Sequence, residues 1–173
     1  MKRLVQKSFA LIAAALFILL SGDARAATAT STFTVTGNVT ANCTISAAGI
    51  TFTYDPVVAN ASSNATASGT VTVACTKGSG TTIGLDAGSN AAAAAGLTPA
   101  APRAMRLGAT ANYLGYDIYW PGTTTSWTTA APYVPSAPAS KAARTFNMDG
   151  VAFAGQDATV GSYADSVTAT VNF

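Results

Sequence analysis

Cys43 and Cys75 are the only thiols in the chain, so a single disulfide can be drawn between them. No C-x-x-C spacing and no histidine accompanies them, which points to a structural bridge rather than to a redox or nucleophilic pair. Closing a loop of that length stabilises by about 3.7 kcal/mol on chain-entropy grounds, within a realistic range of roughly 0 to 5. The remaining inventory carries little chemistry. The sequence has no histidine and no glutamate, so the usual general base and the Ser-His and Cys-His arrangements are missing. Beyond residue 26 the acids are Asp55, Asp86, Asp117, Asp149, Asp157 and Asp165, scattered singly and in no calcium- or zinc-binding spacing. Asp149-Gly150 reads as a bend or turn, and Lys77-Gly78-Ser79-Gly80 lacks the spacing of a phosphate loop. The expectation is a protein that is not an enzyme, with no catalytic residue, no metal ligand and no cofactor.

The elements around these residues begin with a leader. Lys2, Arg3 and Lys7 precede an apolar run from Phe9 to Leu20, and Ala24-Arg25-Ala26 has the small-residue form of a cleavage site. Residues 1–26 are therefore expected to be a secretory signal peptide and residues 27–173 one mature domain. The apolar run is too short to cross a bilayer of about 30 Å as a helix, so no direct membrane insertion is expected. Export favours the disulfide. Past the leader five bases stand against six acids, a net charge of −1, which gives no steering toward nucleic acid or an anionic surface. Abundant Thr, Ser and Asn suit strands and turns.

Alternation then marks the strands. Phe33, Val35, Gly37 and Val39 share one side of Thr30 to Val39, with threonines and Asn38 on the other. Cys43 to Ser46 and Ile50 to Tyr54 read as short strands around a turn, Ala59 to Ser68 as a loop, and Gly69 to Thr76 and Thr81 to Asp86 as strands. Ala87 to Pro102 reads as a surface loop, because Gly and Pro bracket its alanine run. Arg103 to Leu107, Tyr113 to Trp120 and Arg144 to Phe153 complete the middle of the chain. The last stretch, from Tyr163, places Val167, Ala169, Val171 and Phe173 on one face. Short strands punctuated by Gly and Pro make the fold class all-β, a sandwich.

Cys43 with Ile50 to Asp55, Val71-Thr-Val-Ala-Cys-Thr76, Leu114-Gly-Tyr-Asp-Ile-Tyr119, Gly161-Ser-Tyr-Ala-Asp165 and Thr170-Val-Asn-Phe173 together resemble the spore coat protein U domain, in order and over essentially the whole mature chain. That family includes subunits of archaic chaperone–usher pili. The resemblance implies an immunoglobulin-like sandwich that is incomplete and is completed when a neighbour's N-terminal segment adds as a strand. It makes Phe33, Val35, Gly37 and Val39 candidate donor residues, within a donor segment 27–39. Val167, Ala169, Val171 and Phe173 become a candidate wall of the acceptor groove or chaperone contact. The implied partners are neighbouring subunits in a homopolymer or mixed fibre, a periplasmic chaperone and an outer-membrane usher. The implied destination is the cell surface, with adhesion or biofilm formation as the role. The residues alone leave open that the first strand pairs within its own domain, that the chain is a secreted coat protein, or that Tyr113, Tyr119, Trp120, Trp127 and Tyr133 form an exposed ligand-binding surface rather than core.

Overall fold

The computed structural model describes residues 26–173, so the expected signal peptide, except Ala26, lies outside the described residues. The chain divides into two units, Met1–Asn38 and Val39–Phe173. In the first, residues 26–38 are exposed and form neither strand nor helix. The strand expected over Thr30 to Val39 is thus not formed in the isolated subunit. Alternation supplies a face to bury, but a strand also needs another strand's edge to hydrogen-bond to.

The second unit holds eight strands and one helical turn: β1 (Cys43–Ala48), β2 (Ala65–Cys75), β3 (Thr82–Leu85), α1 (Ala91–Ala94), β4 (Arg103–Leu107), β5 (Tyr113–Tyr119), β6 (Arg144–Ala152), β7 (Tyr163–Ala164) and β8 (Ala169–Asn172). They form a six-stranded sheet in the order β1-β2-β6-β5-β4-β7 and a two-stranded sheet β3-β8. Every pairing is antiparallel. The all-β expectation holds, with local corrections. Ile50 to Tyr54 keeps its alternating burial but belongs to no strand. The loop expected from Ala59 to Ser68 ends early, since Ala65 to Ser68 pair with Asp149 to Ala152. The alanine run makes the single turn α1, as alanine's helix propensity outweighs its flanks locally. Asp149-Gly150 is not a turn: β6 runs straight through it.

Gly150 and Gly69 are there for space. A Cβ on Gly150 would lie 2.9 Å from both Ile50 Cγ2 and Phe52 Cζ, and one on Gly69 would lie 2.8 Å from Ile50 Cγ1 and 2.7 Å from the Ala48 carbonyl oxygen. Those glycines let the segment after β1 settle onto the inner face of β2 and β6. The core between the sheets is built from Val71, Val73, Ile83, Leu85, Ile118 and Trp127, all nearly inaccessible. Trp127 is fully buried and donates its indole N–H to the Ile83 carbonyl at 2.7 Å. Tyr133 packs edge-on or tilted against Trp127, Trp120 and Phe146. Much of the suspected aromatic surface is therefore core packing.

Arg103, 1% exposed, ties the layers together. Its guanidinium meets Asp117 Oδ1 at 2.7 Å and donates to the carbonyls of Asp86 at 2.8 Å and Trp127 at 2.6 Å. The same Asp117 oxygen accepts from the Ile118 N–H and the Ser126 hydroxyl. A buried ion pair survives only when its remaining hydrogen-bonding groups are also met, as they are here.

Cys43 and Cys75 are bonded, and they are directly opposite one another at the end of the β1–β2 ladder. The pairing continues outward: Thr76 N–H donates to the Asn42 carbonyl, and the Thr76 hydroxyl accepts from Asn42 N–H and donates to the Thr40 carbonyl. Replacing both cysteines by alanine is expected to lower stability by about 2–4 kcal/mol. Urea unfolding of wild type under reducing and non-reducing conditions should reproduce the same difference.

Asp86 closes the smaller sheet, accepting from the N–H groups of Thr168 and Gly88. Burial opposes its ionisation, but those bonds and the Arg103 charge outweigh it and hold the carboxyl below its ordinary value of 3.8. A lowered folded pKa means the unfolded chain binds the proton first, so this contribution is complete above about pH 3.8 and lost as pH falls through the folded value. Asp86→Asn should therefore be less stable than wild type at pH 7, with the two urea midpoints converging in acid. A gap that stays constant down to pH 2 would show that the charge is not the cause.

Candidate functional site

A two-stranded sheet cannot cover the inner face of a six-stranded one, and the uncovered part is an apolar groove. One wall is the segment from Ala47 through Ile50 and Phe52 to Pro56; the other runs from Ala158 through Tyr163 and Val167 to Ala169. The floor is Leu85, Met105, Tyr116, Ile118 and Met148, contributed by β3, β4, β5 and β6. Two adjoining cavities of about 490 and 500 Å³ fill this trough and share Ile50, Phe52, Met105 and Tyr163.

The backbone of both walls is half-paired. β8 pairs with β3 alone, and its upstream continuation bonds to the same side, Asp86 N–H to Thr168 and Ser89 N–H to Ser166. The opposite edge has no strand hydrogen-bonded to it among the described residues. On the other wall, the backbone of residues 49–54 makes no hydrogen bond among the described residues. Donors and acceptors beside an apolar floor are the edge that another strand completes.

The polar groups here are structural. Tyr116 donates its hydroxyl to Asp165 at 2.8 Å, and Asp165 also accepts from the N–H groups of Ser89 and Ser166 and from the Asn90 amide. Burial first, then the Asp165 bond, pushes the Tyr116 phenol well above its ordinary range, so it remains a donor. Asp55 caps the turn at the end of the groove: the N–H groups of Val57, Val58 and Ala59 point at its carboxylate and lower its pKa. Asp149 accepts from the Gly122 N–H. Each of these carboxylates is committed to holding backbone.

Of the residues singled out from sequence, Val167 and Ala169 line the groove. Val171 packs against the core beyond it, and Phe173 is 55% exposed. Phe33, Val35 and Val39 are 87%, 83% and 83% exposed, and a Cβ at Gly37 would meet nothing within 4 Å. Sequence reasoning missed the floor. Met105, Met148 and Tyr116 sit on strands that read correctly, but which part of a strand's buried face goes uncovered depends on the opposite sheet. Ile50, Phe52 and Tyr54 did carry a signal, an alternating run just before the Asp55-Pro56 break.

No curated protein sequence matches the chain. A solved structure does: a chain of the CsuC–CsuE chaperone–tip adhesion subunit pre-assembly complex from archaic chaperone–usher Csu pili of Acinetobacter baumannii is similar with a TM-score of 0.56 at 19% identity, over 78% of this chain. This chain spans about 40% of that one, and the likeness is one of fold. The family profile of the Spore Coat Protein U domain matches residues 29–170, nearly the whole of the described chain, and with that match the chain belongs to the Spore Coat Protein U domain family.

Proposed function

We propose that this chain is a structural subunit of a surface pilus, built by the chaperone–usher route through donor-strand exchange and serving adhesion or biofilm formation. The observation that carries the reading is the pairing of an open groove with a free, strictly alternating segment. Phe33, Val35, Gly37 and Val39 are exposed in the subunit, while the apolar groove between residues 47–56 and 158–169 has unpaired backbone along it. The segment from Ala27 to Val39 of one subunit fills the groove of the next. Seven residues from Phe33 to Val39 extend about 23 Å, close to the roughly 20 Å that the six unpaired residues 49–54 span when extended.

The energetics favour such an insertion. Burying Phe33, Val35 and Val39 contributes on the order of 2 kcal/mol each, and each backbone bond made along the walls adds roughly 1 kcal/mol. Against this stands the conformational entropy lost when an unpaired segment is fixed as a strand. Residues 1–26 act as the export signal and residues 27–173 as one domain. A periplasmic chaperone protects the groove, and an outer-membrane usher exchanges the chaperone's strand for the neighbour's. The solved relative supports the chaperone, because that structure is a chaperone–subunit complex.

Deleting residues 27–39 should leave the soluble chaperone–subunit complex at wild-type yield while abolishing fibres seen by electron microscopy. Val35→Asp should act the same way, because a charge carried into an apolar groove is desolvated without a partner, whereas Thr34→Asp on the opposite face should be mild. Loss of the complex in parallel with the fibres would place the segment inside its own domain. Normal secretion with no fibres from wild type would favour the coat role that the family's name suggests.

A further inference from the structure

We propose that the apolar rim made by Val57, Val58 and Val160 at the open end of the groove seats the body of the adjacent subunit, a second copy of this chain, so that each joint carries a body-to-body contact beside the inserted strand. The proposal rests on the donor-strand reading above. Val57, Val58 and Val160 are 80%, 77% and 95% exposed. They flank one end of the groove, whose lining there includes Pro56 and Val160. Val57 and Val58 directly follow Pro56, which lines the same cavity as Val160, and exposed valines at the mouth of a binding groove are an association surface.

The shape of the groove decides which part of the neighbour arrives at that rim. At the other end the walls converge: Cα atoms of β1 and β8 come within 8 Å of one another. A strand lying between them would need two spacings of about 4.8 Å, close to 10 Å in all, so that end is closed to a passing chain. The donor must still leave the groove to rejoin its own domain at Cys43. It leaves by the open end, with Val39 last, and therefore runs antiparallel to β8.

The tether after Val39 is short. Thr40 and Asn42 are already bonded to Thr76, and Cys43 is fixed to Cys75. Four residue steps from Val39 to Cys43 span at most about 14 Å. The donor's body is thus held at the mouth, with its Thr76–Ser79 turn foremost. The segment beside that turn carries its own apolar residue: Val134, 65% exposed, lies in sequence between Tyr133, which bridges to Ile83, and Pro138, whose carbonyl accepts from the Gly78 N–H of the turn. Val57, Val58 and Val160 at one pole and Val134 at the other make a head-to-tail contact, the kind that propagates into a filament.

The test uses full-length protein assembled through its secretion route, with Thr40→Cys combined with Val160→Cys, or with Asn172→Cys as control, and a short bis-maleimide. Cross-linked subunit pairs with the 160 variant and not with the 172 variant are expected. Val57→Asp with Val160→Asp should keep the ladder of strand-inserted oligomers on unheated denaturing gels but give fibres with a shorter persistence length in electron micrographs. Cross-linking at 172 instead, or at neither site while the ladder persists, overturns the seating. Unchanged fibre stiffness in the Asp variant overturns it as well. If wild type itself gives no strand-inserted ladder, the donor-strand reading fails first and takes this contact with it.

Discussion

The number of strands in each layer governs this structure. Six strands present an inner face that β3 and β8 are too few to cover, so the remaining apolar area has to be met by something other than the second sheet. Part of it is covered by the chain after β1, which falls onto Gly69 and Gly150 and buries Ile50 and Phe52 there without pairing its backbone. Part is covered by Trp127 and Tyr133, which fill the region beside β3. What is left is the groove. A wholly apolar gap would close by collapse, but here the walls carry unpaired peptide groups. Those groups stay solvated only if the trough stays open, and leaving them buried and unpaired would cost more than the burial returns.

The frame around the groove is correspondingly stiff. Arg103 on β4 holds the ends of β3 and the Trp127 segment through their carbonyls and is itself held by Asp117 on β5, so the floor and the smaller sheet are fixed to one another. Asp165 does the same for the β8 wall, reaching Tyr116 on the floor and the loop at Ser89 and Asn90. The disulfide anchors β1 to β2, the long inner strand of the larger sheet, at the point where the free segment leaves. Polar networks of this kind contribute little net stability against an apolar alternative, yet they permit only one arrangement of the groups that join them.

Much of this was legible in the chain because β pairing announces itself by period. The strands from Gly69 onward, the half-buried face of Val167, Ala169 and Val171, and the single disulfide follow from alternation and cysteine count. What failed has a common cause: pairing is a property of two segments. Thr30 to Val39 and Ile50 to Tyr54 alternate as well as any strand here and are not strands, since no strand among the described residues pairs with their backbone. Conversely Ala65 to Ser68, unremarkable in sequence, become strand because β6 reaches that far. Phe173 continues the apolar face by period but projects past the end of β8, where no opposing residue covers it. Arg103 and Asp117 were invisible as a pair, fourteen positions apart on neighbouring strands whose register only the fold supplies.

The free segment poses a last problem, namely why its own groove is not its best partner. Intramolecular insertion would benefit from a high effective concentration. Geometry opposes it. The segment leaves the domain at Cys43, beside the converged end, so it would have to reverse at once and run with Val39 at the closed end and Phe33 toward the mouth. That direction is parallel to β8 and antiparallel to the wall at residues 49–54, the reverse of a neighbour's insertion, so strand direction does not separate the two. The reversal would also fall on Thr40 to Asn42, which are already spent on Thr76. Breaking those bonds offsets part of the gain, whereas in the proposed exchange a segment arriving from another molecule would enter through the open end with no turn to make. The alternation of threonines opposite Phe33, Val35 and Val39 keeps the waiting segment solvated in the meantime. In the proposed exchange, incompleteness in the sheet and short tethering at Cys43 therefore act together: one creates the need for a strand, and the other favours a neighbour as its source.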